Sequence, residues 1–351
     1  MNVLLKVAIP IVLLGTYYAV FLRPDIDDPF ARPFCDANGF CHERPDKPSP
    51  RTAYSAWNKE QYNLWLNYCE ELKEKVTKYK KRRQTLFVKE QLGQLTGRPR
   101  PLILLGDSIT ESWDGTGLGV PKVRAQGVPE VLEEMLKTTE QHLDPIVLGV
   151  SGDQTQHLLY RLEHDHMRAA QLTSESTNGG ETVGYDPSAI FVVMIGTNNL
   201  GSGELPGPTA TGILAVVDYL LEETKEAGCH VMLFEVLPRG DGHKVLPKLC
   251  PPRCSDDEKL IPFSSFMPAV DKANEAVTKG VEDLSKTYPG RIKLVDCGTE
   301  FLNPGYSKKD GSNTYEVKQE IMPDLLHPNA DGHVKMAKCI QNYIHEIDAG
   351  K

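Results

Sequence analysis

Leu104-Leu105-Gly106-Asp107-Ser108-Ile109-Thr110 is the stretch on which the reading of this chain turns. The apolar run from Pro101 to Leu105 that leads into it has the length and aliphatic content of a buried parallel strand. Gly106 lets the chain turn sharply off that strand, and Asp107 and Ser108 are residue types that end strands and begin helices. The Ser108 hydroxyl would then sit at a helix N-terminus, where free backbone N–H groups face any oxyanion that forms. Alone, Gly-Asp-Ser is weak evidence of chemistry and fits an ordinary helix cap better. A chemical reading of the serine depends on the rest of the chain.

Outward from this stretch, apolar strand-like runs at 101–105, 145–150, 188–195, 229–236 and 291–296 alternate with segments of helical length. That alternation predicts right-handed crossovers and an α/β fold, a three-layer α/β/α sandwich around a parallel sheet. Ligands of such sheets lie beyond the carboxyl ends of the strands. Three further stretches fall there in order: Val147-Leu148-Gly149-Val150-Ser151-Gly152-Asp153, then Gly196-Thr197-Asn198-Asn199, then Asp324-Leu325-Leu326-His327. Gly152 has no side chain, so its N–H can approach a substrate closely. The Asn198 amide can donate to a developing oxyanion without carrying charge. Asp324, three residues before His327 and inside the Pro323 to Pro328 bracket, can meet one ring nitrogen while the other faces Ser108. His157 and His333 compete with His327 for the role of base.

Ser108, Gly152, Asn198 and His327, in this order, resemble the four signature residues of the SGNH (GDSL-type) ester hydrolase superfamily. Two phrases, Gly152-Asp153-Gln154-Thr155-Gln156-His157-Leu158-Leu159-Tyr160-Arg161-Leu162 and Leu237-Pro238-Arg239-Gly240, are similar to the catalytic subunits of platelet-activating-factor acetylhydrolase. The resemblance spans residues 100–345 and implies a flavodoxin-like order for five parallel strands. It implies Ser108 as nucleophile, His327 as base and Asp324 as its orienting carboxylate. Ser108, Gly152 and Asn198 would form the oxyanion hole, supported by Asp107, Asp153 and Asn199. Asn199 departs from the superfamily's usual Asp and matches the acetylhydrolase-like branch. The implied activity is hydrolysis of a short acyl ester, most simply acetyl, on a lipid or carbohydrate, with no cofactor and no metal. Lysophospholipase, thioesterase and acyltransferase activities are the alternatives on the same fold. A binding module that kept the fold is the rival from another class, although none of the catalytic residue types is missing.

The net charge of −9 over 351 residues, with no basic stripe interleaved with aromatics, excludes a nucleic-acid binder from the expected partners. The basic cluster Lys78 to Arg83 follows Glu70, Glu71 and Glu74 at helical spacing and reads as a solvated helix face. His164, Asp165 and His166 lack the i, i+4 spacing of a metal site. Trp113 is read either as pocket lining or as loop packing, and 173–186 as an exposed loop. Insertions at 241–266 and 303–322 follow later strands and are read as walls or lids of the site.

At the front of the chain, residues 3–22 carry one charge, Lys6, and no convincing small-x-small cleavage site follows. The expectation is a signal-anchor over 1–22, with a cleaved signal peptide as the alternative. The protein would then be a single-pass membrane protein of the secretory pathway with a luminal or extracellular catalytic domain, or else secreted. Residues 23–56 read as a linker or stalk. Residues 57–98 read as a helical extension of one long helix or two, packed on the catalytic domain through Tyr62, Leu64, Trp65, Tyr68, Leu72, Val76 and Tyr79, and 99–348 as that catalytic domain. Of eight cysteines, Cys35 with Cys41 and Cys250 with Cys254 are the expected disulfide pairs, while Cys229 and Cys297, in strand-like runs, read as buried thiols. The expected partner is a small-molecule ester, with membrane contact through the N-terminal segment; oligomeric state is not legible.

Overall fold

Five parallel strands, β1 (Arg100–Gly106), β2 (Leu143–Gly149), β3 (Ile190–Met194), β4 (His230–Phe234) and β5 (Ile292–Val295), pair in the order β5-β4-β3-β1-β2 of a computed structural model. This is the flavodoxin-like order, and each strand lies within two residues of its apolar run or overlaps it fully. The structure describes residues 43–51, 59–137, 142–175, 181–240, 255–256, 261–262, 266–303 and 317–349.

The central strands are buried on both faces, as aliphatic runs without alternation require. Helices α2 (Thr155–His164), α3 (Pro206–Glu223) and α4 (Met267–Thr287) pack in sequence on one side of the sheet. Helix α5 (Ala330–Asp348) and the short helical turns between Val128 and Lys137 cover the other. The result is the expected three-layer sandwich.

Edge strand β2 would leave carbonyls unpaired, and one helix covers that edge. Helix α1 (Lys59–Gln91) is a single helix whose buried residues Trp65, Tyr68, Leu72, Val76, Tyr79 and Arg83 recur every three or four positions. The Tyr79 hydroxyl donates to the Asp144 carbonyl at 2.6 Å and Lys75 Nζ to the Val147 carbonyl at 2.9 Å. The basic cluster on this helix is only partly a solvated face. Arg83 is 1% exposed and donates to Asp186 Oδ2 at 2.8 Å, and Arg82 pairs with Asp144, because Asp144 on the edge strand and Asp186 ahead of β3 both face the helix.

Three other expectations change. The segment 173–186 is not simply a loop: Gln171–Glu175 and Glu181–Tyr185 form an antiparallel ladder. Cys297 is not a thiol, since it is disulfide-bonded to Cys339 and so ties the end of β5 to α5. Cys229 is a free, buried thiol, as read. Residues 43–51 fall inside the stretch read as a linker, yet they pack against the sheet unit: Ser49 N–H bonds to the Gln156 carbonyl, and Arg51 is 6% exposed. The run 3–22 and the pairs Cys35 with Cys41 and Cys250 with Cys254 lie outside the described residues. Among the described residues, no helix is long and apolar enough to cross a membrane.

Candidate active site

The carboxyl ends of β1 and β2 each finish on a glycine because the chain that follows β1 crosses directly over them. A Cβ on Gly106 would come within 2.3 Å of Thr110 Oγ1, besides 2.2 Å of the Met194 carbonyl on β3, and one on Gly149 within 2.3 Å of the Glu111 N–H nitrogen. That crossing begins a short helical turn, Ser108–Glu111, capped by Asp107, whose Oδ1 accepts the Ile109 N–H at 2.9 Å. Ser108 is therefore held at the turn's first position, almost buried, with a defined side-chain direction.

From the opposite end of the chain, the Asp324–His327 stretch reaches the same point. Asp324 Oδ1 accepts the backbone N–H groups of Leu326 (3.1 Å) and His327 (2.7 Å), an Asx turn that sets the spacing of acid and imidazole. Asp324 Oδ2 accepts His327 Nδ1–H at 2.7 Å, which leaves Nε2 to accept the Ser108 hydroxyl at 2.9 Å. Partial burial would raise the Asp324 carboxyl, but hydrogen bonds from the His327 ring and backbone and from Leu326 outweigh it and hold the pKa at about 2. Leu325 takes a left-handed φ of 63°, and its carbonyl accepts the Gly240 N–H at 2.9 Å. Any side chain on Gly240 would strike Leu325 Cβ at 2.7 Å. The Leu237–Gly240 phrase thus grips the Asp324–His327 loop, and its Arg239 donates to the Thr197 carbonyl at 2.8 Å beside Asn198.

The competing histidines stand elsewhere. His157 is buried in α2, where Nδ1 accepts the Gln154 N–H (3.0 Å) and Nε2 faces Glu43 (3.0 Å). His333 is fully buried in α5 between the Asn329 and Ile109 carbonyls, and burial lowers its pKa to about 4. Trp113 is 2% exposed and meets the His333 ring edge-on at 4.6 Å, so it packs in the core.

Gly152 lies at a left-handed φ of 80° in a turn closed by the Asp153 N–H on the Val150 carbonyl at 3.0 Å. Among the described residues, neither the Ser108 nor the Gly152 N–H donates a hydrogen bond. Asn198 is brought to the same place but is engaged: Nδ2 donates to the Asp153 carbonyl at 2.9 Å and to Asp107 Oδ2 at 3.2 Å. Burial raises Asp107 to about 7, with the neighbouring Asp153 charge adding to it against the Ile109 N–H bond. Asn199 is fully buried and links two loops, its Oδ1 accepting the Thr155 N–H at 3.0 Å.

Two residues carry the site without having been singled out in the sequence. Glu111 is 0% exposed and accepts the Ser151 N–H (2.8 Å) and hydroxyl (2.6 Å), which ties the loop after β2 to the turn after Ser108. Arg161 spans the ends of both strands, donating to the Gly106 carbonyl (3.0 Å), the Leu148 carbonyl (2.9 Å) and Asp153 Oδ2 (2.6 Å). Arg161 stands in the motif phrase already quoted, one helical face from Asp153; Glu111 had no such signal. His164, Asp165 and His166 form no metal-holding group among the described residues. The insertions at 241–266 and 303–322 lie largely outside the described residues; of the first, Ser255–Asp256 pairs with Ile261–Pro262.

Comparison with known proteins matches residues 104–335 to the model of the GDSL-like Lipase/Acylhydrolase family. No curated protein matches the chain. Among solved structures, it is similar to a Streptococcus pneumonia protein named as a platelet activating factor, at 18% identity over 82% of this chain and 99% of that one, TM-score 0.44. A GDSL-like lipase from Bacteroides thetaiotaomicron matches at 15% identity over 77% and 99%, TM-score 0.44. A variant of an acetyl xylan esterase from Geobacillus stearothermophilus matches at 18% identity over 71% and 95%, TM-score 0.42.

Proposed function

The chain belongs to the GDSL-like lipase/acylhydrolase family and is a carboxylic ester hydrolase; from that premise we propose that it removes a short acyl group, most simply acetyl, from a lipid or carbohydrate ester by a serine mechanism. Ser108 Oγ attacks the ester carbonyl while His327 Nε2 takes its proton, and the same imidazole then protonates the leaving alcohol. Water repeats the sequence on the acyl-enzyme. Asp324 keeps the imidazole in the tautomer that accepts at Nε2 and stabilises the imidazolium that forms.

The N–H groups of Ser108 and Gly152, with the Asn198 amide, hold the oxyanion. Asn198 spends both amide hydrogens in the resting arrangement, so its part requires one bond to be exchanged. The 3.2 Å bond to Asp107 is the weaker of the two. Asp107 and Asn199 act as supports for this loop cluster and do not touch substrate.

The observation that carries the reading is the continuous line Asp324 Oδ2, His327, Ser108 Oγ, at 2.7 and 2.9 Å. The short acyl group rests on the likeness of the 152–162 and 237–240 phrases to the acetylhydrolase branch. A luminal or extracellular place of action is supported by the Cys297–Cys339 disulfide, which persists where the medium is oxidising.

The test is a fluorophosphonate probe on wild type and Ser108→Ala, followed by acetyl-sugar, lysophospholipid and p-nitrophenyl esters of increasing chain length. Labelling of wild type alone, with turnover greatest on acetates, is expected. Labelling that survives in Ser108→Ala would remove the nucleophile assignment, and a preference for long acyl chains would replace the short-acyl reading with the lysophospholipase one.

A further inference from the structure

The Asp153 carboxylate accepts three side-chain hydrogen bonds, and two of them come from outside the family match. It is 0% exposed. Oδ1 accepts Arg51 Nη2–H at 2.8 Å and Trp65 Nε1–H at 2.9 Å, and Oδ2 accepts Arg161 Nε–H at 2.6 Å. Arg51 Nη2 also donates to the Ser151 carbonyl at 2.7 Å, and the Arg51 guanidinium lies over the Trp65 ring, 5.5 Å from its centroid. Gly152 sits between these two anchored residues. A Cβ built on it would be 3.2 Å from Arg51 Nη2, so the guanidinium packs on the glycine itself. Arg161 belongs to the region matched by the family, 104–335; Arg51 and Trp65 precede it.

We infer that the segment before the family-matched region is part of the catalytic apparatus: Arg51 and Trp65 are positioning residues that fix the 150–153 loop and aim the Gly152 N–H at the oxyanion. The inference rests on the reading of Gly152 as an oxyanion donor. Two features argue against packing alone. A buried ion pair gains little stability over well-packed apolar side chains, so two cations and an indole around one carboxylate are a costly way to fill space. Arg51 also takes a left-handed φ of 55°, a conformation that a non-glycine residue holds only when its surroundings over-determine it. What such an arrangement supplies is direction. A donor must point to where charge develops in the transition state, and a loop held at Ser151, at Asp153 and through the Asp153 carbonyl bond to Asn198 cannot re-aim it.

The experiment uses the full chain and five variants: Trp65→Phe, which keeps an aromatic ring and deletes the N–H; Arg51→Met, which deletes the guanidinium; Arg51→Lys, which keeps a charge; Ser108→Ala; and Leu72→Ala, a packing control on the same buried face of α1 whose side chain has no group to bond Asp153. Readouts are kcat and KM on a short acyl ester, the inhibition constant of a trifluoromethyl ketone whose serine adduct carries the oxyanion, and Tm. Trp65→Phe and Arg51→Met are expected to lower kcat by roughly tenfold each, a fraction of what deletion of an oxyanion donor costs, with KM little changed. The ketone's inhibition constant should rise by the same factor, and Arg51→Lys should recover part of the loss. Leu72→Ala should lower Tm and leave kcat and the ketone unaffected. If Trp65→Phe and Arg51→Met behave like Leu72→Ala, the segment is packing and the inference fails, while the site assignment stands. Should Arg51→Met not fold, Trp65→Phe alone decides. Turnover surviving in Ser108→Ala would sink the site reading itself, a result distinguishable from either.

Discussion

At the residue scale, Ser108, His327 and Asp324 lie on one line of hydrogen bonds, so each replacement interrupts the proposed chemistry at a different place. His327→Ala is expected to suppress turnover almost as fully as Ser108→Ala, because an unassisted hydroxyl is a poor nucleophile near neutral pH. His157→Ala should leave kcat nearly intact, since that ring is committed to Gln154 and Glu43. The reverse pattern in steady-state kinetics would reassign the base. Asp324→Asn should cost kcat with little change in KM, and Asn198→Ala should cost roughly 10² to 10³ in kcat. Two buried groups also set opposing pH trends. His333 ionises at about 4 in the fold against 6.5 ordinarily, so the stability it lends is full above 6.5 and is lost as pH falls toward 4. Asp107, raised from 3.8 to about 7, does the opposite: its contribution is full below 3.8 and is lost as pH rises through 7. Relative to wild type, His333→Phe should therefore gain ground as pH falls from 6.5 to 4, by up to about 1.4 kcal/mol per pH unit, and Asp107→Asn should gain ground as pH rises. Urea denaturation across that range measures both; parallel curves for variant and wild type would show that neither group is the source.

At the scale of elements, α1 matters because it closes the edge that the sheet would otherwise present at β2. Its apolar stripe ends in Arg83, whose charge is balanced by the buried Asp186, so the helix is joined to the sheet by both packing and ion pairing. Leu72, 2% exposed in the middle of that stripe, tests the packing. Leu72→Ala should cost about 2–5 kcal/mol in equilibrium unfolding, the range for deleting most of a buried leucine side chain. Helix and sheet should still unfold in one transition. A separate early transition of α1, followed by helical far-UV signal ahead of the loss of amide-exchange protection in the strands, would mean that the extension is an autonomous element.

For the whole molecule, the Cys297–Cys339 disulfide encloses the segment that carries both Asp324 and His327, with a sequence separation of 42. Cross-linking a loop of this length stabilises by roughly 2–4 kcal/mol, chiefly by restricting the unfolded chain. Cys297→Ser with Cys339→Ser is expected to lower Tm accordingly and to raise amide exchange in residues 318–329, ahead of the strands. Unchanged exchange there would confine the bond's effect to the unfolded state. The Gly240 bond to Leu325, the His333 contact with the Ile109 carbonyl and the buried face of α5 hold the same part of the chain at the end of β1.

The sequence by itself determined the five core strands, the helices between them and their succession along the chain. Uniformly aliphatic runs mark strands buried on both faces, helical spacing marks α1, and a glycine followed by Asp107 and Ser108 marks a strand that turns into a helix; all of these are local properties. Family resemblance carried the four ordered motifs as far as named roles. What only the tertiary structure decided is which distant side chains meet. Arg51, Trp65 and Arg161 converge on Asp153 from three separate segments, and no periodicity relates them. Cys297 in a strand-like run looks the same whether free or bonded, and Arg83 in a basic cluster looks solvated until Asp186 is seen to face it. The physical reason is common to these cases: periodicity reports which face of an element is buried, whereas the partner of a buried polar group is set by the surface packed against that face.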